Sequence, residues 1–286
     1  MEAKRPVIKN AFAVVIAATA ALFARSWLQV ELLEDGLHGD YAADLSYLVV
    51  PPIFLILALP VFHQDRAFLI EQFRPTDLSP SIILRALVVG ILVRVLWWAT
   101  IVAGIAFGIF RNDSPFAIEG PLFSFQCAAT HVVLLGFLVM AVMVPVVEEI
   151  THRAYVQSAM QLRGPVLAIA SSAAIFAVFH PTAHWPFAFV AGVVFGAQYW
   201  STGSLWPSLI SHATVNGLIQ IDWRCLNGIW NPHTSDLPLW RIGILATCIV
   251  VFALVSLFCL TFQKKSAAAN NRRGTDRVTE RLRHVR

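Results

Sequence analysis

The stretch that decides the fold is residues 131–153, HVVLLGFLVMAVMVPVVEEITHR. Sixteen residues from His131 to Val146 carry no Asp, Glu, Lys or Arg, and then Glu148 and Glu149 arrive together, followed by His152 and Arg153. An uncharged apolar run of that length, continued on both sides, is long enough to cross the roughly 30 Å hydrocarbon core of a bilayer. Helical spacing puts Glu149 and Arg153 four apart on one face, with the carboxylate on the N-terminal side, the favourable order for a charge pair. Glu148 points about 100° away and lacks that partner. Two adjacent carboxylates in different surroundings are suited to different tasks: one structural, one handling protons. Such a pair is also read, in isolation, as a charged patch at the end of a span.

The rest of the chain repeats the pattern. Of 286 residues 57% are hydrophobic and 13% charged, and mean hydropathy is +0.68. Soluble domains carry about 25% charged residues. Apolar runs of helix length recur at about 9–30, 45–62, 82–110, 127–162, 165–181, 186–201, 205–222 and 241–262. The expectation is an all-α, polytopic transmembrane helical bundle of about eight spans, the third interrupted by Arg85 and Arg94 and the seventh short and semi-polar. A soluble globular enzyme, a disordered chain and a nucleic-acid module are excluded. Residues 11–24 resemble a signal peptide in their alanines, but the later spans favour a retained first span. No internal repeat and no soluble domain is visible.

The sequence pI of 9.1 does not point to nucleic acid, because the basic residues sit mainly at the ends. Residues 1–9 hold Lys4, Arg5 and Lys9 against Glu2, and residues 263–286 hold eight Lys/Arg against Asp276 and Glu280. Loop 31–44 holds Glu31, Glu34, Asp35, Asp40 and Asp44 and no Lys or Arg. The positive-inside rule puts that loop outside and both termini in the cytoplasm. Loop 63–80, with Arg66 and Arg74, fits the cytoplasmic side, and its Ala67–Ile70 stretch is suited to lie along the interface. Cys127, Cys225, Cys248 and Cys259 form no C-x-x-C pair, so neither a zinc ribbon nor a disulfide framework is indicated. Cys248 and Cys259 are expected to pack as small hydrophobes.

Ionisable groups at membrane depth are costly and functional by default. A second cluster, Phe176-Ala177-Val178-Phe179-His180-Pro181, ends an uncharged run at His180. A third, His212-Ala213-Thr214-Val215-Asn216, puts two polar side chains on one helical face. Each has a plainer reading, an interface histidine or an interhelical hydrogen bond. His184, between Pro181 and Pro186, is read as an interface histidine; His152, four residues after Glu148 on the same face, is read either as an interface histidine or as joining Glu148 in its site. Gly164-Pro165 is the natural turn between the fourth and fifth spans. Glu148 and His180 lie 16 residues before and after Gly164, which gives both a height of roughly 24 Å from the turn. His212, past the Gly203-Ser204 turn, reaches that level if the first hairpin projects about 12 Å further.

Together the clusters resemble the CPBP family, which contains type II CAAX-prenyl endopeptidases and bacteriocin-processing or immunity proteins. Its pattern, E-E-x-x-x-R, F-x-x-x-H and H-x-x-x-N/D, reads here as Glu148-Glu149-x-x-x-Arg153, Phe176-x-x-x-His180 and His212-x-x-x-Asn216. The resemblance covers about residues 127–222. The chain then divides into N-terminal transmembrane helices (1–126), a CPBP-like catalytic helical core (127–222), a loop and last transmembrane helix (223–262) and a basic cytoplasmic tail (263–286).

The resemblance implies a glutamic-type intramembrane endopeptidase acting on a membrane-anchored or lipidated protein. By carry-over Glu148 is the general base, and His180 helps position the water or move its proton. His212 and Asn216 line the site and stabilise the oxyanion, and Glu149 and Arg153 orient it. No cofactor is implied. The nearest rival is a zinc site built from Glu148, His180 and His212, although H-E-x-x-H is missing. Two further functions compete: a non-catalytic immunity or scaffold protein of the same family, and a small transporter or channel using the polar clusters as an ion path, with Arg85 and Arg94 fitting a polar cavity. The implied partners are a membrane-anchored protein or peptide substrate and the lipid bilayer, with no nucleic acid. The short N-terminal segment and the lack of an endoplasmic-reticulum retention signal suggest a bacterial inner membrane.

Overall fold

A computed structural model describes residues 6–74, 77–109, 129–220 and 239–262. The charged termini Lys4, Arg5 and 263–286, the loop with Cys225, and Cys127 lie outside the described residues. Those described are helical, with short connections and no strand among them. The helices are α1 (Ile8–Glu34), α2 (Gly39–Tyr47), α3 (Val50–Gln64), α4 (Arg66–Gln72), α5 (Pro80–Ala106), α6 (Thr130–Arg163), α7 (Pro165–Val178), α8 (Trp185–Thr202), α9 (Trp206–Gln220) and α10 (Leu239–Phe262). The all-α membrane bundle read from the sequence is what forms. Five helices are long and apolar enough to cross a membrane: α1, the α2–α3 unit from Tyr41, α5, α6 and α10. The remaining expected spans, α7, α8 and α9, are helical but shorter or more polar, at 14, 18 and 15 residues.

Turns fall where glycine permits a backbone that a Cβ disfavours. Gly164 has φ 94° between α6 and α7, and Gly203 has φ 69° between α8 and α9. Pro165 starts α7 at a position where no N–H is needed. The Ala67–Ile70 stretch forms part of α4, with Phe68 buried and Ile70 exposed. Gln72 fixes α4 to the α8–α9 turn: its carbonyl accepts the Leu205 N–H at 3.0 Å and its Oε1 accepts the Tyr199 hydroxyl at 2.7 Å. Asn10 Nδ2 donates to Asp65 Oδ2 at 2.8 Å. The start of α1, the 63–80 loop and the α8–α9 turn therefore share one end of the bundle.

Two apolar clusters surround the polar middle. One joins α1, α3, α4, α6 and α8 through Val14, Phe54, Phe68, Tyr155 and Tyr199. The other joins α5, α8, α9 and α10 through Val89, Leu96, Phe195, Val215 and Leu257. Helix α10 turns Ala246, Ala253 and Leu257 inward. Cys248 and Cys259 fall off that stripe and are exposed on its outer face, which corrects the expectation that they pack inside. Helices α5 and α9 lie very close: Ser211 Oγ donates to the Ala86 carbonyl at 2.7 Å, and a Cβ on Gly90 would sit 2.6 Å from both the Ser211 carbonyl and Thr214 Cβ. Backbone cannot yield as a flexible side chain does, so Gly90→Ala is expected to lower stability by about 1–3 kcal/mol. Thermal unfolding in detergent measures this, and an unchanged midpoint would show that the two helices separate at little cost.

Helix α6 departs from α-helical geometry twice, over Phe137–Met143 and Ile150–Gln157, where the backbone is π-helical. Val144 N–H bonds to the Val139 carbonyl and Ser158 N–H to the Arg153 carbonyl, both i→i−5. Such segments are rare and gather at functional sites. The first has a local cause. After Val144 the next i→i−5 donor is residue 145, and Pro145 has no N–H. The π run stops there, and the carbonyl of Met140 is left without its ladder partner. A π turn takes more residues than an α turn and advances less per residue, so the uniform rise used in the height comparison does not hold along α6.

Candidate active site

The site is built on α6, α7 and α9, in the layer between the two apolar clusters. Glu149 and Arg153 on α6 form the expected pair, with Nε donating to Oε2 at 3.1 Å, and both side chains are fully enclosed, at 1% and 0% exposure. The pair survives the π segment because four residues span nearly one turn in either helix type. Arg153 Nη1 also donates to Ser172 Oγ on α7 at 2.6 Å, and Ser172 donates its own proton to the His152 carbonyl at 2.8 Å. The guanidinium lies 5.3 Å from the Phe176 ring centroid. Charge, hydrogen bonds and a π face together hold Arg153 in place.

His212 on α9 joins the two carboxylates. Its Nδ1 is 3.0 Å from Glu149 Oε1, and its Nε2 is 3.3 Å from Glu148 Oε2. Glu148 thus has a partner that the sequence spacing did not supply: His212 rather than Arg153. A neutral imidazole has one N–H. With Nδ1–H donated to Glu149, a hydrogen bond between Nε2 and Glu148 needs one more proton, on either atom. The two placements give the four-group cluster the same net charge of zero, counting Arg153 as the fixed cation. With the proton on His212 the two groups are an ion pair and with it on Glu148 a neutral pair, so one proton can pass between them with the net charge of the cluster unchanged. The His212 ring stacks on Phe195, centroids 5.1 Å apart.

Glu148 is the more accessible carboxylate, at 16% exposure. With Tyr47, Thr151, His152, Val147 and Phe179 it borders a cavity of about 10 Å³, close to the volume needed to seat one water. His152 is fully buried, and among the described residues neither ring nitrogen has a hydrogen-bond partner. Its ring meets the Phe176 and Phe179 rings edge-on at 5.2 and 5.3 Å. It therefore belongs to the interior rather than to the interface, one of the two places read for it from the sequence.

His180 lies at the C-terminal end of α7. Its Nδ1 is 2.9 Å from the Phe176 carbonyl. A carbonyl only accepts, so Nδ1 carries a proton, and in the neutral ring Nε2 is then an acceptor. No hydrogen bond or ion pair links His180 directly to Glu148 among the described residues. The Phe176 ring touches both histidines instead, 4.7 Å from His180 and 5.5 Å from His212. His184 is near Trp97, ring centroids 5.2 Å apart.

Asn216 is one turn beyond His212. Its Nδ2 donates at 2.9 Å to the carbonyl of Met140, the group that Pro145 leaves unpaired. One amide proton thus completes the α6 backbone, and the amide nitrogen keeps a second. Asn216→Leu removes the donor and strands that carbonyl, an expected loss of about 1–3 kcal/mol. Asn216→Gln, which can still donate, is expected to recover part of it. Equal melting of all three proteins would remove this structural role.

Among the described residues no group of three His, Cys, Asp or Glu side chains is arranged to hold a metal. Glu148 and His212 meet, but His180 stands apart with its Nδ1 committed to a carbonyl. Several contributors carry no role in the motif pattern. Phe176 enters it only as a motif letter, yet it contacts Arg153 and three histidines. Ser172, Phe176 and His180 form a stripe at four-residue spacing, a signal that singles out Ser172. Tyr47 and Arg25, whose guanidinium lies 4.2 Å from the Tyr47 ring centroid, come from the N-terminal helices, and no local pattern marks them.

Residues 129–218, from the start of α6 to near the end of α9, match the family model described as Rce1-like: Type II CAAX prenyl endopeptidase Rce1-like. The match contains all three motifs and bears out the resemblance they carry. No curated protein and no solved structure matches the chain.

Proposed function

We propose, from the premise that this helical core belongs to a CAAX-protease family of membrane proteins, that the chain is an intramembrane endopeptidase. It would hydrolyse a peptide bond of a membrane-anchored or lipidated protein with a glutamate-activated water. The observation that carries this reading is the bridge from Glu149 through His212 to Glu148. One carboxylate is locked by Arg153 and the other is left to exchange a proton.

Peptide hydrolysis needs a nucleophilic water, a proton carrier and donors for the developing oxyanion. Glu148 takes a proton from a water in its small cavity as the oxygen attacks the scissile carbonyl. His212, held by Glu149 through Nδ1, offers its Nε2–H to the oxyanion, with the second amide proton of Asn216 beside it. The proton on Glu148 then passes to the departing amine nitrogen, and the carbonyl re-forms as the C–N bond breaks. His180, with Nε2 as an acceptor, assists by holding water or substrate at the rim. Glu149 and Arg153 act through His212 as positioning residues.

The purified protein in detergent, offered a membrane-proximal peptide, is the test. Cleavage by the wild type and none by a folded Glu148→Ala protein supports the reading. Cleavage that is lost with a chelator and restored by zinc supports the metal-dependent rival instead.

A further inference from the structure

Arg94 is the one ionisable group deep in α5 that the site does not use. It lies about 21 Å from Pro80 and about 18 Å from Ala106 along the helix, near the middle of a span. A single side chain cannot reach water from there. Among the described residues it has no carboxylate partner; its nearest favourable contact is the Trp98 ring, with the centroid 5.5 Å away. Arginine at that depth pairs with something or faces water.

It faces a groove. Helices α5, α9 and α10 enclose a cavity of about 550 Å³ lined by Arg94, Trp98, Val102, Leu218, Leu245 and Ile249 among others. Among the described residues Arg94 is the only charged group in that lining. The groove opens outward, where Trp98 is 48% and Leu245 63% exposed, so a ligand enters sideways from the acyl-chain region. It is separate from the catalytic cluster. Leu218 lies about 240° around α9 from His212, on the side of Thr214 and Ser211 that packs against Gly90 of α5.

We propose that this groove binds one long-chain carboxylate, a fatty-acid-type monoanion, with its carboxylate on Arg94 and its chain along α5 and α10. The charge argument selects a monoanion, because one unpaired cation in hydrocarbon is balanced by one negative charge. Volume and wall chemistry select a single apolar chain: 550 Å³ falls within the range of sites for small ligands.

The test uses the full chain, delipidated in detergent, with palmitate as probe and hexadecanol and phosphatidylglycerol as competitors. Saturable palmitate binding near one per chain is expected. Arg94→Leu should weaken it about tenfold or more, and Arg94→Lys should retain most of it. Hexadecanol, with the same chain and no charge, should compete poorly. Arg94→Leu removes a charge from hydrocarbon, so its melting point should stay level or rise. Leu245→Trp, at a groove-lining position that is 63% exposed, narrows the groove with Arg94 intact and should also weaken binding. Equal palmitate binding by wild type and Arg94→Leu overturns the proposal, as does equal competition by hexadecanol. Stronger competition by phosphatidylglycerol than by palmitate itself would assign the site to a phospholipid and overturn it too.

Discussion

Glu148→Gln is expected to lower peptide cleavage by about 10²–10⁴-fold, the usual contribution of a positioned general base. The amide preserves the shape of the side chain and can still hydrogen-bond His212 Nε2, which lies 3.3 Å from Oε2 in the wild type. It cannot take a proton from water. Glu148 is also partly exposed, at 16%, so little buried charge is disturbed. Stability should therefore stay within about 1 kcal/mol of wild type, as for substitutions that neither open a cavity nor bury an unpaired charge. Cleavage rate and melting point, measured on the same preparation, separate the two effects. Wild-type cleavage by Glu148→Gln would show that this carboxylate does not activate the water.

Arg153→Met is expected to have the opposite profile, a large loss of stability. The substitution leaves Glu149 enclosed at 1% exposure, with the His212 ring still 3.0 Å from its Oε1. Removing one member of a buried ion pair typically costs about 3–5 kcal/mol, because the other charge is left uncompensated. Ser172 loses a donor as well, since Nη1 holds its Oγ at 2.6 Å. The double variant Glu149→Gln/Arg153→Met should recover part of the loss, because no charge then remains unpaired. Melting in detergent measures both proteins. If Arg153→Met melts like wild type, Glu149 is not held as a buried anion and the division of labour between the two glutamates fails.

Much of the site is legible from spacing because its chemistry lies on short helical intervals. The Glu149–Arg153 pair, the separation of Glu148 from it, and the shared face of His212 and Asn216 all follow from four-residue and one-residue offsets. What spacing cannot carry is contact between distant segments. That His212 joins both carboxylates depends on α9 lying against α6, and a linear chain holds no distance between them. The π segments are hidden for the same reason. Pro145 marks a disturbance in α6, but its consequence, a Met140 carbonyl completed by Asn216, needs a residue 76 positions away. Tyr47 reaches the Glu148 cavity from helices beyond the three motifs. The expectation of about eight spans, with the seventh short and semi-polar, leaves the lengths of the others open for a related reason. Hydropathy identifies α7, α8 and α9 as apolar, but their lengths follow from turns at Gly164 and Gly203 placed to bring the motifs together.

Whether this chain cuts membrane proteins, and needs Glu148 to do so, is tested most directly in cells. Membrane-protein termini would be compared in cells carrying the wild type, no protein, or Glu148→Ala at equal abundance. The expected result is a set of new termini that appears with the wild type and is missing equally from the other two. Termini restored in full by Glu148→Ala would contradict the account and leave a protein that acts by binding.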